Sequence, residues 1–461
     1  MRGKPFALPA GDFNFAVGVD NRREDLSSAV DALFANGLAL GYNPANTFAG
    51  GGRSTKALFL ETNSPITSAK AEVPGFHEVD LTAAVRYEQI SPGGNATTPK
   101  FGLRWRPIDD QVVIRSTWSK GFIAPSIYSL FGPSGGNSPS FTILEGNGTA
   151  AAGGSTGKLV TGQYGSAVEL SNPNLKPSNS KSLTYGIVIS PKALKGLNVS
   201  LDYYRITQDK VGSIDYTSVY ADLNAKGSAS QYASGYVFAD GSRLTSTAPN
   251  QVTSTNAGTL TIANSPSGDL KTSGLDIGVD YLLTTENFGR FNVGANANVL
   301  FDYLVRGTPR ASYNQYARVF TDATNGLGQS QGLLPSYTLK PYVTHTWRSL
   351  STALAFTYLP GVTNPGMLFG GQSATNTQRI DGKAQQIPSY FTTDLSVRYT
   401  LPNFGVELAR NVSLTVGANN LLNKKPPYVT GGGNGSSENN TAKAAYDIVG
   451  RFMFVELKKS F

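Results

Sequence analysis

Alternation of apolar and polar residues recurs along most of the chain. Its longest example places apolar side chains at every second position, namely Phe291, Val293, Ala295, Ala297, Val299, Phe301 and Tyr303. Shorter examples surround Val85, Leu201, Leu395 and Val416. Successive side chains of a β-strand point to opposite faces, so the pattern predicts strands with one apolar and one polar face.

We predict fourteen such strands. They lie at 11–23, 54–66, 78–90, 97–107, 111–120, 178–191, 196–211, 270–284, 288–304, 333–348, 350–359, 385–400, 410–420 and 443–461. Short connections lie at 107–110, 191–195, 285–287, 349 and 401–409. Long ones lie at 24–53, 121–177, 212–269, 305–332, 360–384 and 421–442, with 91–96 a short exception. Short turns at one rim and long loops at the other are typical of an all-β fold, the antiparallel transmembrane β-barrel.

The composition agrees with a barrel and excludes other classes. Hydrophobic residues make up 39% and charged residues 15%, whereas a soluble domain carries about 25% charge. The mean hydropathy is −0.20, and no apolar run reaches the ~18 residues of a transmembrane helix. The absence of cysteine excludes thiol catalysis and a disulfide scaffold. The net charge of +8 is scattered, so we expect no nucleic-acid partner.

No pattern in the sequence indicates an enzyme. The two histidines, His77 and His345, are far apart, and His345 has the apolar parity of its strand, which favours an interfacial residue. The sequence has no metal-ligand cluster, nucleophile elbow or phosphate-binding loop. We therefore predict no catalytic, cofactor or metal site. A barrel hydrolase, the enzyme alternative, would need a Ser or Asp beside a histidine in space.

Four segments together resemble the TonB-dependent outer-membrane receptors. They are WSKGFIAPSIYSLFG at Trp118–Gly132, NPNLKPSNSKSLTYGI at Asn172–Ile187, NNLLNKKPPYV at Asn419–Val429 and GRFMFVELKKSF at Gly450–Phe461. Members of that family often carry Gly-Phe-Arg-Ala-Pro-Ser, Asn-Pro-x-Leu-x-Pro-Glu and Asn-Leu-Phe-Asp-Lys stretches in this order, and their last strand ends on an aromatic residue. The chain departs from the family at Ile123, Ser178 and Asn423, where Arg, Glu and Asp are common.

The resemblance implies a barrel of about 22 strands with a plugged lumen, of which residues 1–461 would supply the last fourteen. On this interpretation the plug domain, the signal peptide and the remaining strands lie outside the sequence. The resemblance also implies a bacterial outer-membrane location, contact with outer-membrane lipid, and insertion by the barrel-assembly machinery through Phe461. Energy would come from the TonB–ExbB–ExbD complex, acting on the plug.

The implied function is TonB-energised uptake of a large, scarce nutrient, with a ferric siderophore as the first expectation. A saccharide or cobalamin receptor of the same family is an alternative. A passive fourteen-stranded porin is another, and it requires the strand at Gly11–Arg23 to pair with Ala444–Phe461.

The long loops contain the candidate ligand-binding residues. Arg and Tyr side chains close together bind anionic, aromatic ligands, and the 305–332 loop offers Arg306, Arg310, Tyr313, Tyr316 and Arg318. A second group is Tyr232, Tyr236, Phe238 and Arg243. Between the loops and the turns, the polar strand faces carry charges that we expect to pair across strands: Asp20, Arg22, Arg86, Glu88, Arg104, Arg106, Asp202, Asp276, Asp280, Asp302, Asp394 and Arg398. Residues 216–232 are either a short helix or irregular.

Overall fold

The structure is a computed structural model of the chain. It describes residues 1–38, 48–133, 135–137, 140–145, 158–163, 166–211, 214, 216–253, 256, 258–307, 313–324, 330–364, 379–380, 383–402, 411–429, 441–442 and 445–460.

Within these ranges, fourteen long strands form one antiparallel sheet, and each pairs with the long strands before and after it in the sequence. They are β1 (Asn14–Ser28), β2 (Phe48–Thr67), β3 (Glu78–Ser91), β4 (Gly94–Arg106), β5 (Val112–Ile123), β6 (Ser178–Ile189), β7 (Leu197–Val211), β8 (Gly268–Thr285), β9 (Gly289–Arg306), β10 (Tyr337–Trp347), β11 (Leu350–Leu359), β12 (Tyr390–Thr400), β13 (Val412–Asn419) and β14 (Phe452–Lys459). The predicted number of strands is confirmed. Among the described residues, no helix is both long enough and apolar enough to span a bilayer.

The first and last long strands of this sheet are β1 and β14. β1 also pairs with a short strand at Arg2–Gly3, and β14 pairs with β13 along its whole length. Over the described part of the chain, no pairing joins β1 to β14. That pairing is the one that a self-contained fourteen-stranded porin requires.

Several predicted strand boundaries were wrong. The last strand begins at Phe452 rather than at 443, because Gly450 turns the chain with a φ of +76°. β12 begins at Tyr390 rather than at 385, after Pro388, which has no N–H to donate. Residues Lys383–Ile387 do form a strand, but it pairs within the loops. Conversely, β1 runs on to Ser28, beyond its predicted end at 23. Phe461 lies outside the described residues.

The two faces of the sheet differ as the alternation predicts. One face, called the outer face here, is lined by exposed apolar side chains such as Val19 and Val455, which are 82% and 71% exposed. The opposite face, called the lumenal face, carries Arg86, Arg115 and Asp202. An apolar face that stays exposed on a folded protein is the signature of a wall that meets lipid.

The two rims also differ as predicted. At the short-turn rim the strands are joined by residues 68–77, 107–111, 190–196, 286–288, 348–349 and 401–411. At the long-loop rim the connections are 29–47, 124–177, 212–267, 307–336, 360–389 and 420–451, with the tight turn at 92–93 as the expected exception.

One irregularity between β8 and β9 changes which side chains face outward. Gly274 pairs with Leu300, whereas its neighbour Ser273 pairs with Asp302, so Phe301 has no partner on β8. A β-bulge of this kind inserts one extra residue into one strand. Above it, β8 keeps its alternation while that of β9 is reversed.

The 124–177 and 212–267 loops fold together around a hydrophobic cluster, the first loop core. Its buried residues are Ala167, Ile214, Val219, Tyr220, Leu223, Tyr236, Leu244, Val252 and Leu260. A four-stranded sheet supports it, formed by Gly135–Asn137, Ser166–Leu170, Tyr236–Val237 and Thr259–Ala263. Residues Tyr216–Lys226 form a helix that contributes to this core. For residues 216–232 the sequence left a short helix and an irregular segment open, and the structure shows a helix over the first part. A second short helix, Ile127–Phe131, is capped by Ser126.

A second loop core lies in the connections that follow β9, β11 and β13, together with the loop-side ends of β11 and β12. Its buried residues are Phe320, Leu359, Val362, Ile387, Tyr390, Val429, Ala442 and Tyr446. Strands at Val319–Thr324, Ser330–Leu334, Val362–Asn364, Arg379–Ile380 and Lys383–Ile387 form its sheet. The remaining short elements are Ala7–Leu8, Gly11–Asp12, Ala32–Ala35, Ala69–Ala71, Ser140–Glu145, Lys158–Gln163, Gly227–Ala229, Ala233–Gly235 and Asn314–Gln315.

Candidate functional site

The structure brings two of the five loop candidates together. The Arg306 guanidinium carbon lies 4.7 Å from the centre of the Tyr313 ring. Lys271 of β8, which the sequence reasoning missed, places its Nζ 4.0 Å from the same ring. Arg306 also donates from Nε to Asp269 at 2.6 Å. The group is therefore one aromatic ring between two cations, one of which is neutralised by a carboxylate.

This group lies on the outer face of the wall. Lys271 and Asp269 have the same parity on β8 as Leu275, which belongs to the outer face, and they pair directly with Leu304 and Arg306. The bulge at Phe301 therefore places the even-numbered side chains at the top of β9 outside, together with Tyr313.

Tyr316 and Arg318 lie elsewhere. Tyr316 is only 1% exposed and packs with Val305 on the opposite side of β9, so its ring supports the loop from within. Arg318 is exposed, and its backbone is held at a φ of +70° by hydrogen bonds of its N–H to Leu334 O (2.7 Å) and of its carbonyl to Thr363 N (3.3 Å). Arg310 lies outside the described residues.

The lumenal charges of β1 to β7 form ion pairs across strands. Arg86 contacts Asp20 at 3.0 Å and also Glu88. Arg115 binds Asp202 in a bidentate pair at 2.7 and 2.5 Å, across Gly186, where a larger residue would meet the Asp202 carboxylate. These contacts agree with the predicted pairing of polar-face charges.

The lumenal carboxylates of β8 to β12 are bound instead by neutral donors. Asp276 accepts from Asn298 Nδ2 at 2.7 Å, Asp280 from the Tyr342 hydroxyl, and Asp394 from the backbone N–H of Asn420 at 2.7 Å. Asp302 was wrongly assigned to this face. The bulge turns it outward, where Ser273 donates to it at 2.8 Å.

The sequence motifs occupy the junction between wall and loops. Arg53 of β2 donates to Pro125 O and to Glu24, both at 2.6 Å, and so attaches the Trp118–Gly132 segment to the wall. Ile123 and Ser178, the positions at which the chain lacks the family's Arg and Glu, are direct partners on β5 and β6. The two departures therefore remove both members of one facing pair, and neither charge is left without its partner.

Asn420 holds the loop that follows β13. Its side chain is 1% exposed. It donates to Lys424 O (2.9 Å) and Asp447 (3.3 Å), and it accepts from Lys424 N at 2.8 Å. Two bonds to one residue close a tight turn, so this motif residue has a structural role.

The second predicted aromatic group belongs to the first loop core. Tyr236 is fully buried against Tyr220 and Phe238, and its hydroxyl accepts from Gly258 N at 2.9 Å. Burial raises the pKa of the Tyr220 hydroxyl above its ordinary value, so that residue stays neutral. The rings of Tyr220 and Tyr236 stabilise the loops and are not available to a ligand in this arrangement.

A cavity of about 470 Å³ lies beside this core. Hydroxyl, amide and aromatic side chains line part of it, and among them are Ser218, Gln231, Tyr232, Ser234 and Thr261. The lining contains no charged residue. The sequence could not reveal this cavity, because it is assembled from segments on both sides of β6 and β7.

His345 lies on the outer face of the wall, opposite Phe291. His345 stacks on Phe291 with 4.2 Å between ring centres, and its Nε2 lies 2.7 Å from Phe288 O, near the short-turn rim. Within the described ranges, no group of three His, Asp or Glu side chains is arranged to hold a metal ion.

Comparison with known proteins identifies the family. A family model described as "TonB dependent receptor-like, beta-barrel" matches residues 3–421, and no curated protein matches the sequence. The ferric enterobactin receptor of Pseudomonas aeruginosa, as a mutant in complex with enterobactin, is 17% identical with a TM-score of 0.60, over 98% of this chain and 52% of that one.

The siderophore receptor PirA of Acinetobacter baumannii is 16% identical, with a TM-score of 0.60, over 99% of this chain and 53% of that one. The chain spans about half the length of these structures, and at this identity the likeness concerns the fold alone. Because the family model covers most of its length, the chain belongs to the family of TonB-dependent receptor β-barrels.

Proposed function

We propose that the chain forms the C-terminal part of the barrel of an outer-membrane receptor that takes up a ferric siderophore. The family match over residues 3–421 carries this proposal. The polar lumenal face supports it, because a charged inner wall holds water, while the folded long loops are suited to binding. The similar solved structures are receptors for ferric enterobactin and for siderophores.

The proposal includes the partners of such a receptor. Uptake would be energised by the TonB–ExbB–ExbD complex through a plug domain. The outer face would contact outer-membrane lipid, and the barrel-assembly machinery would recognise Phe461. The role is transport, without catalysis or a resident cofactor.

Among the five candidates we propose Arg318 as the ligand contact. The residue is exposed on the long-loop side and its backbone is fixed at both its N–H and its carbonyl, so the loop backbone at this position is already ordered before an anionic complex binds. Arg306 and Tyr313 face outward and Tyr316 is buried, which leaves them second to Arg318 in this proposal.

The test is a binding titration of the purified protein with ferric catecholate and ferric hydroxamate siderophores, cobalamin and oligosaccharides, followed by tryptophan fluorescence. Arg318→Ala should weaken siderophore binding by roughly tenfold or more, the value of a charge-assisted hydrogen bond. The matched control, Arg348→Ala, removes an arginine at the short-turn rim and should leave binding unchanged. Equal binding by both variants contradicts the role of Arg318, and the absence of siderophore binding by the unmodified protein contradicts the proposed ligand.

A saccharide is the second candidate ligand, favoured by the neutral cavity beside the first loop core. Amide and hydroxyl groups around an aromatic ring suit sugar hydroxyls and faces better than they suit a charged ferric complex. If the oligosaccharide binds in the same titration and Gln231→Ala weakens it, this candidate replaces the siderophore. Ion conductance of the protein alone in a planar bilayer would instead favour the passive porin.

A further inference from the structure

Two lysines lie directly opposite each other on the outer face of the wall. Lys120 of β5 pairs with Lys181 of β6. The same row continues through Thr207 of β7 to Lys271 of β8. Two residues further from the long-loop rim, Arg205 pairs with Leu183 on the same face. Four cations from four adjacent strands therefore share one face, and we call Lys120, Lys181, Arg205 and Lys271 the basic patch.

The basic patch lies just above the apolar band of the wall. Leu183 and Tyr185, lower on β6, are 38% and 51% exposed on the outer face. Tyr185 lies 4.8 Å from Tyr203 between ring centres, and Trp118 stacks on Phe101 at 5.9 Å. Tryptophan and tyrosine mark the membrane–water interface. Lys120 is two residues beyond Trp118, which places it about 7 Å further toward the long-loop rim.

The charges of the two opposed lysines are not compensated within the described residues. Like charges directly opposite on a sheet are destabilising, and both side chains are exposed. Asp209 of β7 and Asp269 of β8 have other partners: Asp209 accepts from Asn179 N at 2.6 Å, and Asp269 accepts from Arg306 at 2.6 Å. Within the described residues, neither carboxylate forms an ion pair with Lys120 or Lys181. An anion from outside the chain is therefore the natural partner.

We propose that the basic patch binds the phosphate groups of anionic lipids in the leaflet that surrounds the long-loop side of the barrel. The basic patch is continuous with the exposed apolar face below it. A lipid with phosphate groups above its acyl chains fits this arrangement, because its phosphates can contact the cations while its acyl chains contact the apolar face. The proposal depends on the family's orientation in the membrane and is independent of the transported ligand.

The test compares lipid binding by the purified protein in non-ionic detergent. Diphosphoryl lipid A and its dephosphorylated form serve as probes, and native mass spectrometry gives the bound fraction. The double variant Lys120→Gln/Lys181→Gln should lower the affinity for the diphosphoryl form by about 30-fold, since each lysine near an anionic surface contributes about 1 kcal/mol. It should leave binding of the dephosphorylated form unchanged.

Lys100→Gln is the matched control, because Lys100 lies on the lumenal face and pairs with Ser119, the residue next to Lys120. It should bind lipid A like the unmodified protein. Equal loss in both variants, or equal binding of both lipid forms by the unmodified protein, overturns the proposal.

Lys120→Glu tests whether a loss of lipid binding in the double variant is caused by misfolding. It places a carboxylate opposite Lys181, which should raise the melting temperature in lipid-free detergent and abolish the extra stabilisation by diphosphoryl lipid A. A variant that is stabilised by diphosphoryl lipid A as strongly as the unmodified protein would overturn the proposal.

Discussion

The wall and the loops of this protein bury opposite kinds of side chain. On the wall, Leu58 is 54% exposed on the outer face, while Arg86 and Asp202 lie on the lumenal face. In the first loop core, Leu223 is fully buried, as in a water-soluble domain. The same chain thus follows two packing rules, and the surrounding solvent decides between them. The wall is built for lipid outside and water inside, whereas the loops are built for water on all sides.

The largest effect is expected in the loops. Leu223→Ala should destabilise the first loop core by about 2–5 kcal/mol, because it loses both the transfer free energy of the side chain and the packing around the cavity that remains. Hydrogen exchange of the 212–267 loop measures this. Leu58→Ala on the wall should cost about 2 kcal/mol, the transfer term alone, because lipid fills the space. If both cost the same, the proposed difference in solvent is wrong.

A charge distinguishes the two faces of the wall. Val85→Arg on the outer face of β3 should cost about 2–4 kcal/mol, because it brings a guanidinium into hydrocarbon. Ala84→Arg puts the same group one residue away on the lumenal face, opposite Glu61, and should cost little. Denaturant titration of the protein in liposomes measures both. A similar cost for the two variants would show that the faces are assigned incorrectly.

Smaller effects should separate the two halves of the lumenal face. Arg115→Gln removes a pair whose Arg115 and Asp202 side chains are 52% and 25% exposed. The substitution should therefore lower the free energy of unfolding by less than about 1 kcal/mol. At high salt, which screens the pair, the substitution should have no effect on that free energy. Asp280→Asn keeps an acceptor for the Tyr342 hydroxyl, so its effect should not depend on salt. The measurement is unfolding at low and high NaCl.

The smallest effect is a pH dependence at the short-turn rim. The ammonium of Lys192, together with the N–H of Gln111, lowers the pKa of Asp109 to about 2. The unfolded value is about 3.9, so this contribution is complete above that pH and is lost as the pH falls toward 2. The protection of the Gln111 amide against hydrogen exchange, relative to its intrinsic rate at each pH, should fall over that window, because this amide donates to Asp109 at 2.8 Å. The Asp109→Asn variant should show no such change.

The sequence predicted the wall far better than the loops. Alternation around Val85 or Val416 is a local signal, so strand number, strand order and the two rims could be derived from it. The cores of the loops could not, because Ala167 and Leu260 meet only after β6 and β7 have formed. The sequence predicted that Arg306 and Tyr316 belong to one site, but the two side chains lie on opposite sides of β9. The prediction failed because the alternation pattern does not show that Phe301 forms a bulge.

The unpaired Phe301 has a genetic consequence. Loss of that single codon would restore regular alternation along β9, yet Asp302 would still lie opposite Ser273 and Arg306 opposite Asp269. Each side chain above the bulge would therefore keep its face and its neighbour on β8. A bulge thus lets the gene gain or lose one codon within a strand of the wall while the surfaces presented to the lipid and to the channel stay the same.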